Sequence, residues 1–148
     1  MQSDAPYSGR FEGKTHLFAV RVYFEDTDAG GVVYHANYLR FMERARSDML
    51  RVAGIDQRGA LEHGQGVYVV SDLTIKYALS AKLDDDLVVV SKLRKVTGAR
   101  CVIHQRVMRG GDIVTDAMVT AVFIGPEGRP KRQPPAWVEI FERLKGIE

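Results

Sequence analysis

The stretch Val22–Leu50, VYFEDTDAGGVVYHANYLRFMERARSDML, decides how this chain of 148 residues folds. It opens on the end of an alternating run, then breaks at Asp26, Asp28, Gly30 and Gly31, with His35 and Asn37 just beyond. From Asn37 to about Ala53 the apolar positions Tyr38, Met42, Ala45 and Met49 recur at helical spacing. Leu39, Leu50 and Ala53 widen that face, and charged residues such as Arg40, Glu43, Arg44 and Asp48 surround it. Gly54 supplies the stop. The passage therefore predicts a strand, a glycine-bearing loop and one long helix.

Working outward, His16 to Phe24 reads as the first strand, and a short helical turn fits Arg58 to Glu62. After residue 66 the chain is rich in β-branched and aromatic residues. VYVVSDLTIKYAL, DDDLVVVSKLRKV, RCVIHQRVMRG and DIVTDAMVTAVFIG read as four further strands. The last three are joined by short turns, which forces an antiparallel meander, because a parallel crossover needs a dozen or more residues. Trp137, Ile140, Phe141 and Leu144 mark a short amphipathic helix near the C-terminus. The class is α+β: five strands and one long helix. Such a helix cannot cover both faces of that sheet, so the sheet wraps it or a second copy covers the rest. A homodimer at least is the expectation.

The polar residues 1–16 read as a flexible extension, and residues 17–148 as a single domain. Twenty-one basic and nineteen acidic side chains nearly cancel, which argues against bulk nucleic-acid binding. No apolar run approaches the length of a membrane span, and no signal-peptide core is present, so the expected location is cytoplasmic. The lone Cys101 excludes an internal disulfide and multi-cysteine metal patterns. His16, His63 and His104 stand apart from one another, and no metal is predicted. DTDAGG faintly echoes a calcium loop, but the fifth and twelfth positions counted from Asp26 hold Gly30 and Asn37.

Nucleophile-elbow, Walker and zincin motifs are absent. What remains is Asp28 in a loop entering a helix N-terminus, where unpaired N–H groups and a partial positive charge stand ready. Those donors can hold an oxyanion, and they favour an ionised carboxylate nearby. Glycines let the backbone approach a ligand closely. A carboxylate plus an oxyanion site suffices for thioester hydrolysis, whose thiolate leaves easily. The same residues would also make an ordinary turn and helix cap. Local chemistry leaves the two readings open.

The pattern D-x-D-x-x-G-x-V-x-x-x-N-Y, here Asp26, Asp28, Gly31, Val33, Asn37 and Tyr38, resembles the signature of the 4-hydroxybenzoyl-CoA thioesterase family of the hotdog fold. EDTDAGGVVYH and the ERAR of the helix bring it closest to the YbgC-type acyl-CoA thioesterases associated with the Tol–Pal system. The resemblance spans roughly Val20 to Pro134. It implies a hotdog sheet around the long helix and assembly as a homodimer or a tetramer, a dimer of dimers. Acyl-CoA is the implied substrate, acyl carrier protein thioesters a further one, and no cofactor is called for. Asp28 would be general base or nucleophile, and His35 would offer its backbone N–H to the oxyanion. Gly31, Val33, Tyr34, Asn37 and Glu43 would contribute to oxyanion or substrate binding, with Asp26 supporting the loop. For Glu43 a solvated or structural role fits as well. Many relatives carry tyrosine where this chain has Phe24. The Tol–Pal link adds peripheral contact with the inner membrane to the expected location. A non-catalytic acyl-CoA-binding or scaffold protein linked to the Tol–Pal system or lipid synthesis, and a hotdog dehydratase, are the competing classes. The first has no need of Asp28, and the second places its histidine differently.

Overall fold

The long helix α1 covers His35–Val52 in a computed structural model that describes residues 4–146. Its stripe Tyr38, Phe41, Met42, Ala45 and Met49 is buried, as the spacing requires. It starts two residues before the predicted Asn37 because Tyr34, at the N-cap, gives no side-chain capping bond that would signal a start. Two short helices follow, α2 (Gln57–Glu62) and α3 (Pro135–Leu144).

Six strands form one antiparallel sheet: β1 (Arg10–Glu12), β2 (Thr15–Arg21), β3 (Val67–Tyr77), β4 (Asp86–Val96), β5 (Arg100–Arg109) and β6 (Asp112–Ile124). Their spatial order is β1-β2-β4-β5-β6-β3. The β4–β5–β6 meander is present as predicted, and the sheet wraps α1 in the hotdog arrangement.

Two expectations need correction. The sheet has six strands rather than five, because Gly13, at φ +60°, turns residues 10–12 back onto β2. That strand is too short and polar to show alternation in the sequence. Its one anchor is Phe11, whose ring meets His16 edge-on at 5.2 Å. The segment predicted as a flexible extension thus carries a hairpin from residue 10, and Tyr7 packs on Phe18 with ring centroids 5.3 Å apart. Residues 1–3 of that segment lie outside the described residues. The first strand also ends at Arg21 rather than Phe24, since Phe24–Asp26 form a 3-10 turn.

The core is divided in two. One cluster, with Phe18, Val22, Phe41, Met42, Leu87 and Val107, lies toward the Asp28 loop. The other, with Met49, Leu50, Leu93, Ile103 and Phe141, lies toward α3. Polar side chains are buried among them, and two groups of these are hydrogen-bonded to one another. Gln105 donates to the Met42 carbonyl at 3.1 Å and to Ser91 Oγ at 2.9 Å, and accepts from Arg46 at 2.7 Å. His16 Nε2 meets Asp48 Oδ2 at 2.7 Å, and Asp48 also accepts from the Gly9 N–H at 3.0 Å. Such pairing makes polar burial tolerable.

α1 lies mainly over β2, β4 and β5. The edge strand β3 is only partly covered: Leu73 and Ile75 pack against the core, while Val69, Val70 and Tyr77 are between 40% and 48% exposed.

Candidate active site

The loop between the 3-10 turn and α1 is tied to the helix start by its own backbone. Thr27 and Val33 form an isolated antiparallel bridge, and Asp28 N–H donates to the Val32 carbonyl at 2.8 Å. The Asp26 carbonyl accepts from Tyr34 N–H at 2.9 Å and from Asn37 Nδ2 at 2.8 Å. The Asp26 carboxylate accepts from Tyr23 N–H at 2.8 Å. Asp26 therefore braces the loop at three points. Gly31, at φ +83°, makes the reversal and donates to the Asp28 carbonyl at 3.0 Å. A side chain there would be strained, which explains the glycine.

Asp28 is exposed. Its Oδ1 accepts from Gly30 N–H at 2.8 Å and from Val32 N–H at 3.4 Å, and among the described residues Oδ2 has no partner. One oxygen thus fixes the carboxylate while the other stays open to water or a ligand. Beyond the loop, Tyr34 caps nothing, so the His35 and Ala36 amides begin the helix without acceptors from it. Asn37 N–H is already taken by the Tyr34 carbonyl at 2.8 Å. Free donors and the helix dipole together favour negative charge at this point.

The His35 ring lies between two tyrosines, with Tyr34 at 4.6 Å and Tyr77 at 6.0 Å between centroids. Tyr77, at the end of β3, also donates its hydroxyl to the His35 carbonyl at 3.3 Å. The family resemblance implies a contribution from the strand near Val70 to Tyr77, but no local signal singles out Tyr77, which lies 42 positions away in an otherwise ordinary strand. Tyr38 beneath it accepts the Ala81 N–H at 3.0 Å, and burial pushes its phenol pKa up.

Other predicted residues sit differently. Val33 is buried in the core with its N–H on the Ala81 carbonyl, so it holds the loop and does not line the site. Asn37 spends its side-chain amide on the Asp26 carbonyl, a brace rather than a substrate contact. Glu43 stands two turns up α1, ion-paired with Arg46 at the mouth of an apolar cavity, apart from the Asp28 loop. Phe24 points to solvent, 82% exposed. Tyr34 is the tyrosine beside the helix start, its ring tilted against that of His35. Cys101 is buried, its thiol pKa pushed up to about 12 by burial, and is inert. Among the described residues no cluster of His, Cys, Asp and Glu could hold a metal ion. Nor is any helix there long and apolar enough to cross a membrane.

An exposed carboxylate on a braced loop at an open helix terminus, set in a hotdog sheet, defines a class, and comparison with known proteins agrees. The profile of the thioesterase-like superfamily matches residues 22–141, and the chain belongs to that superfamily as a thioester hydrolase. Within it the chain stands beside the YbgC proteins. The acyl-CoA thioesterase YbgC of Haemophilus influenzae is 50% identical over 129 residues, spanning 86% of this chain and 95% of that protein. The acyl-CoA thioester hydrolase YbgC of Escherichia coli is 39% identical over 126 residues, spanning 84% and 93%. The crystal structure of a probable thioesterase from Bartonella henselae superposes with a TM-score of 0.77 at 36% identity, spanning 81% of this chain and 99% of that one.

Proposed function

We propose that this protein hydrolyses acyl-CoA thioesters to the free acid and coenzyme A, with Asp28 as the reacting carboxylate. The observation that carries this reading is Asp28 itself, which is exposed and fixed through Oδ1 alone beside a helix terminus with open amides. In the general-base route a water attacks the thioester carbonyl while Asp28 takes its proton. The carbonyl oxygen becomes an oxyanion facing the His35 N–H. Collapse restores the carbonyl and breaks the C–S bond. The thiolate leaves and collects the proton held by Asp28. In the nucleophilic route Asp28 attacks first, expels the thiolate and forms a mixed anhydride that water then hydrolyses. Gly31 and Tyr34 line the approach to the carbonyl.

The partly covered β3 edge supports assembly through that strand, as a homodimer or a dimer of dimers. Acyl carrier protein thioesters as further substrates, a partnership with the Tol–Pal system and a cytoplasmic position touching the inner membrane belong to the same reading. They rest on the resemblance to the YbgC proteins.

Release of thiol and acid from a panel of acyl-CoA and acyl carrier protein thioesters tests the proposal. Equal amounts of acid and thiol from at least one acyl-CoA are expected. Loss of enoyl absorbance without free thiol would assign the site to hydration instead, and binding without turnover would make the protein a sensor.

A further inference from the structure

Five rings follow one another from the helix start into the core: Tyr34, His35, Tyr77, Tyr38 and Phe41, with successive centroids 4.6, 6.0, 5.9 and 6.1 Å apart. Tyr77 is the member that comes from the sheet, at the last position of β3. Its ring meets His35 edge-on and lies tilted on the buried Tyr38. The backbone just beyond it is pinned, because the N–H groups of Ala78 and Leu79 both donate to the Val114 carbonyl, at 2.9 and 3.1 Å. Tyr38 is fixed in turn by the Ala81 N–H on its hydroxyl. Tyr77 is therefore held in place although it is 43% exposed.

From that place its hydroxyl donates to the His35 carbonyl at 3.3 Å. This carbonyl is one half of a peptide unit whose other half is the Ala36 N–H. A trans peptide is planar, with C=O and N–H pointing in opposite directions, so holding the oxygen aims the hydrogen. A hydrogen bond accepted by the oxygen also polarises the unit and strengthens the N–H as a donor. The helix ladder supplies one such bond from four residues on, and Tyr77 adds a second from outside the helix. The Ala36 N–H lies in the first turn of α1, where it has no acceptor within the helix. It stands next to the His35 N–H, beside the loop that carries Asp28.

We infer that Tyr77 is a positioning residue for the thioester reaction: it aims and polarises the Ala36 N–H, which joins the His35 N–H as a second donor to the oxyanion. The inference rests on the thioesterase reading of the Asp28 site but concerns a hydroxyl that acts through the backbone. A stronger donor matters most when the carbonyl oxygen carries charge, so loss of the hydroxyl falls on the chemical step rather than on substrate binding.

The test uses Tyr77→Phe, which keeps the ring and removes the hydroxyl, with folding checked by circular dichroism and the urea midpoint. Kinetics are taken on whichever of butanoyl-, octanoyl-, dodecanoyl- and benzoyl-CoA the wild type turns over fastest. Removing a direct oxyanion donor costs roughly a hundredfold or more, and an indirect one should cost less: kcat falling about five- to twentyfold, with KM within about twofold. Two analogues that cannot be hydrolysed separate positioning from structure. The propyl thioether of coenzyme A has no carbonyl, and its affinity should stay within about twofold. The trifluoroacetonyl thioether of coenzyme A carries an electron-poor ketone that hydrates to a tetrahedral carbon, and its affinity should fall in step with kcat. A folded Tyr77→Phe with kcat within about twofold of wild type, or with both analogues weakened equally, would overturn the inference. Asp28→Asn is measured beside it. Turnover that needs Asp28 and ignores Tyr77 rejects the positioning role alone. Turnover that survives Asp28→Asn, or a wild type that releases no thiol from any of these acyl-CoAs, rejects the reading of the site on which the role rests.

Discussion

Asp28 and Gly31 divide the labour of the loop: one presents charge, and the other makes the bend that lets it do so. Gly31 at φ +83° cannot be replaced cheaply, and Gly31→Ala should cost about 1–2 kcal/mol in a urea unfolding measurement. Asn37→Ala removes the side-chain donor to the Asp26 carbonyl. It should cost about 1 kcal/mol, with kcat falling more than KM rises as the loop loosens. Phe24→Tyr at an 82% exposed position should leave stability within about 0.5 kcal/mol by thermal melting. The sequence makes Asp28, Gly31 and His35 legible because their types carry chemistry at short range. It does not separate lining residues from braces. Val33 and Asn37 sit in the same motif, yet one packs inward and the other serves a backbone carbonyl, and only the folded loop distinguishes them.

At the level of elements, the joint between β2 and α1 is polar where an apolar contact is the default. His16 and Asp48 are both buried there, 0% and 3% exposed, bonded at 2.7 Å. Burial lowers the His16 pKa below its usual value, and Asp48 offsets part of that shift. The folded state thus binds the His16 proton less readily than the unfolded chain does. Its contribution is complete above the unfolded pKa of about 6.5 and is lost as pH falls toward the lower folded pKa. Urea midpoints measured at pH 7.5 and pH 5 should show wild type weakening with acid, and His16→Gln should show a shallower decline. Asp48→Ala, which leaves a buried ring and the Gly9 N–H without their acceptor, should cost about 1–3 kcal/mol at pH 7.5. The helices and the β4–β5–β6 meander were readable from periodicity and turn spacing. This joint is not legible, because residues 32 positions apart give no local signal, and β1 escapes a sequence reading because three mostly polar residues show no alternation.

Taken whole, the molecule leaves one sheet edge unfinished. β3 carries exposed Val69, Val70 and Tyr77, and Tyr77 is also the strand's contact with His35. An edge of that kind invites pairing with a second copy, so the proposed oligomer and the site would share an element. Val69→Lys with Val70→Lys should shift the protein toward monomer in light scattering, and turnover should fall with it because the strand that carries Tyr77 loses its support. The measurement that bears most directly on the account is the rate of thiol release from an acyl-CoA by Asp28→Asn against wild type. Asparagine keeps an acceptor for the Gly30 N–H, so the loop should stand and the unfolding midpoint should hold. The account predicts a fall in kcat of about a hundredfold or more, as expected for loss of a general base. A folded Asp28→Asn protein that works within a few-fold of wild type would contradict it.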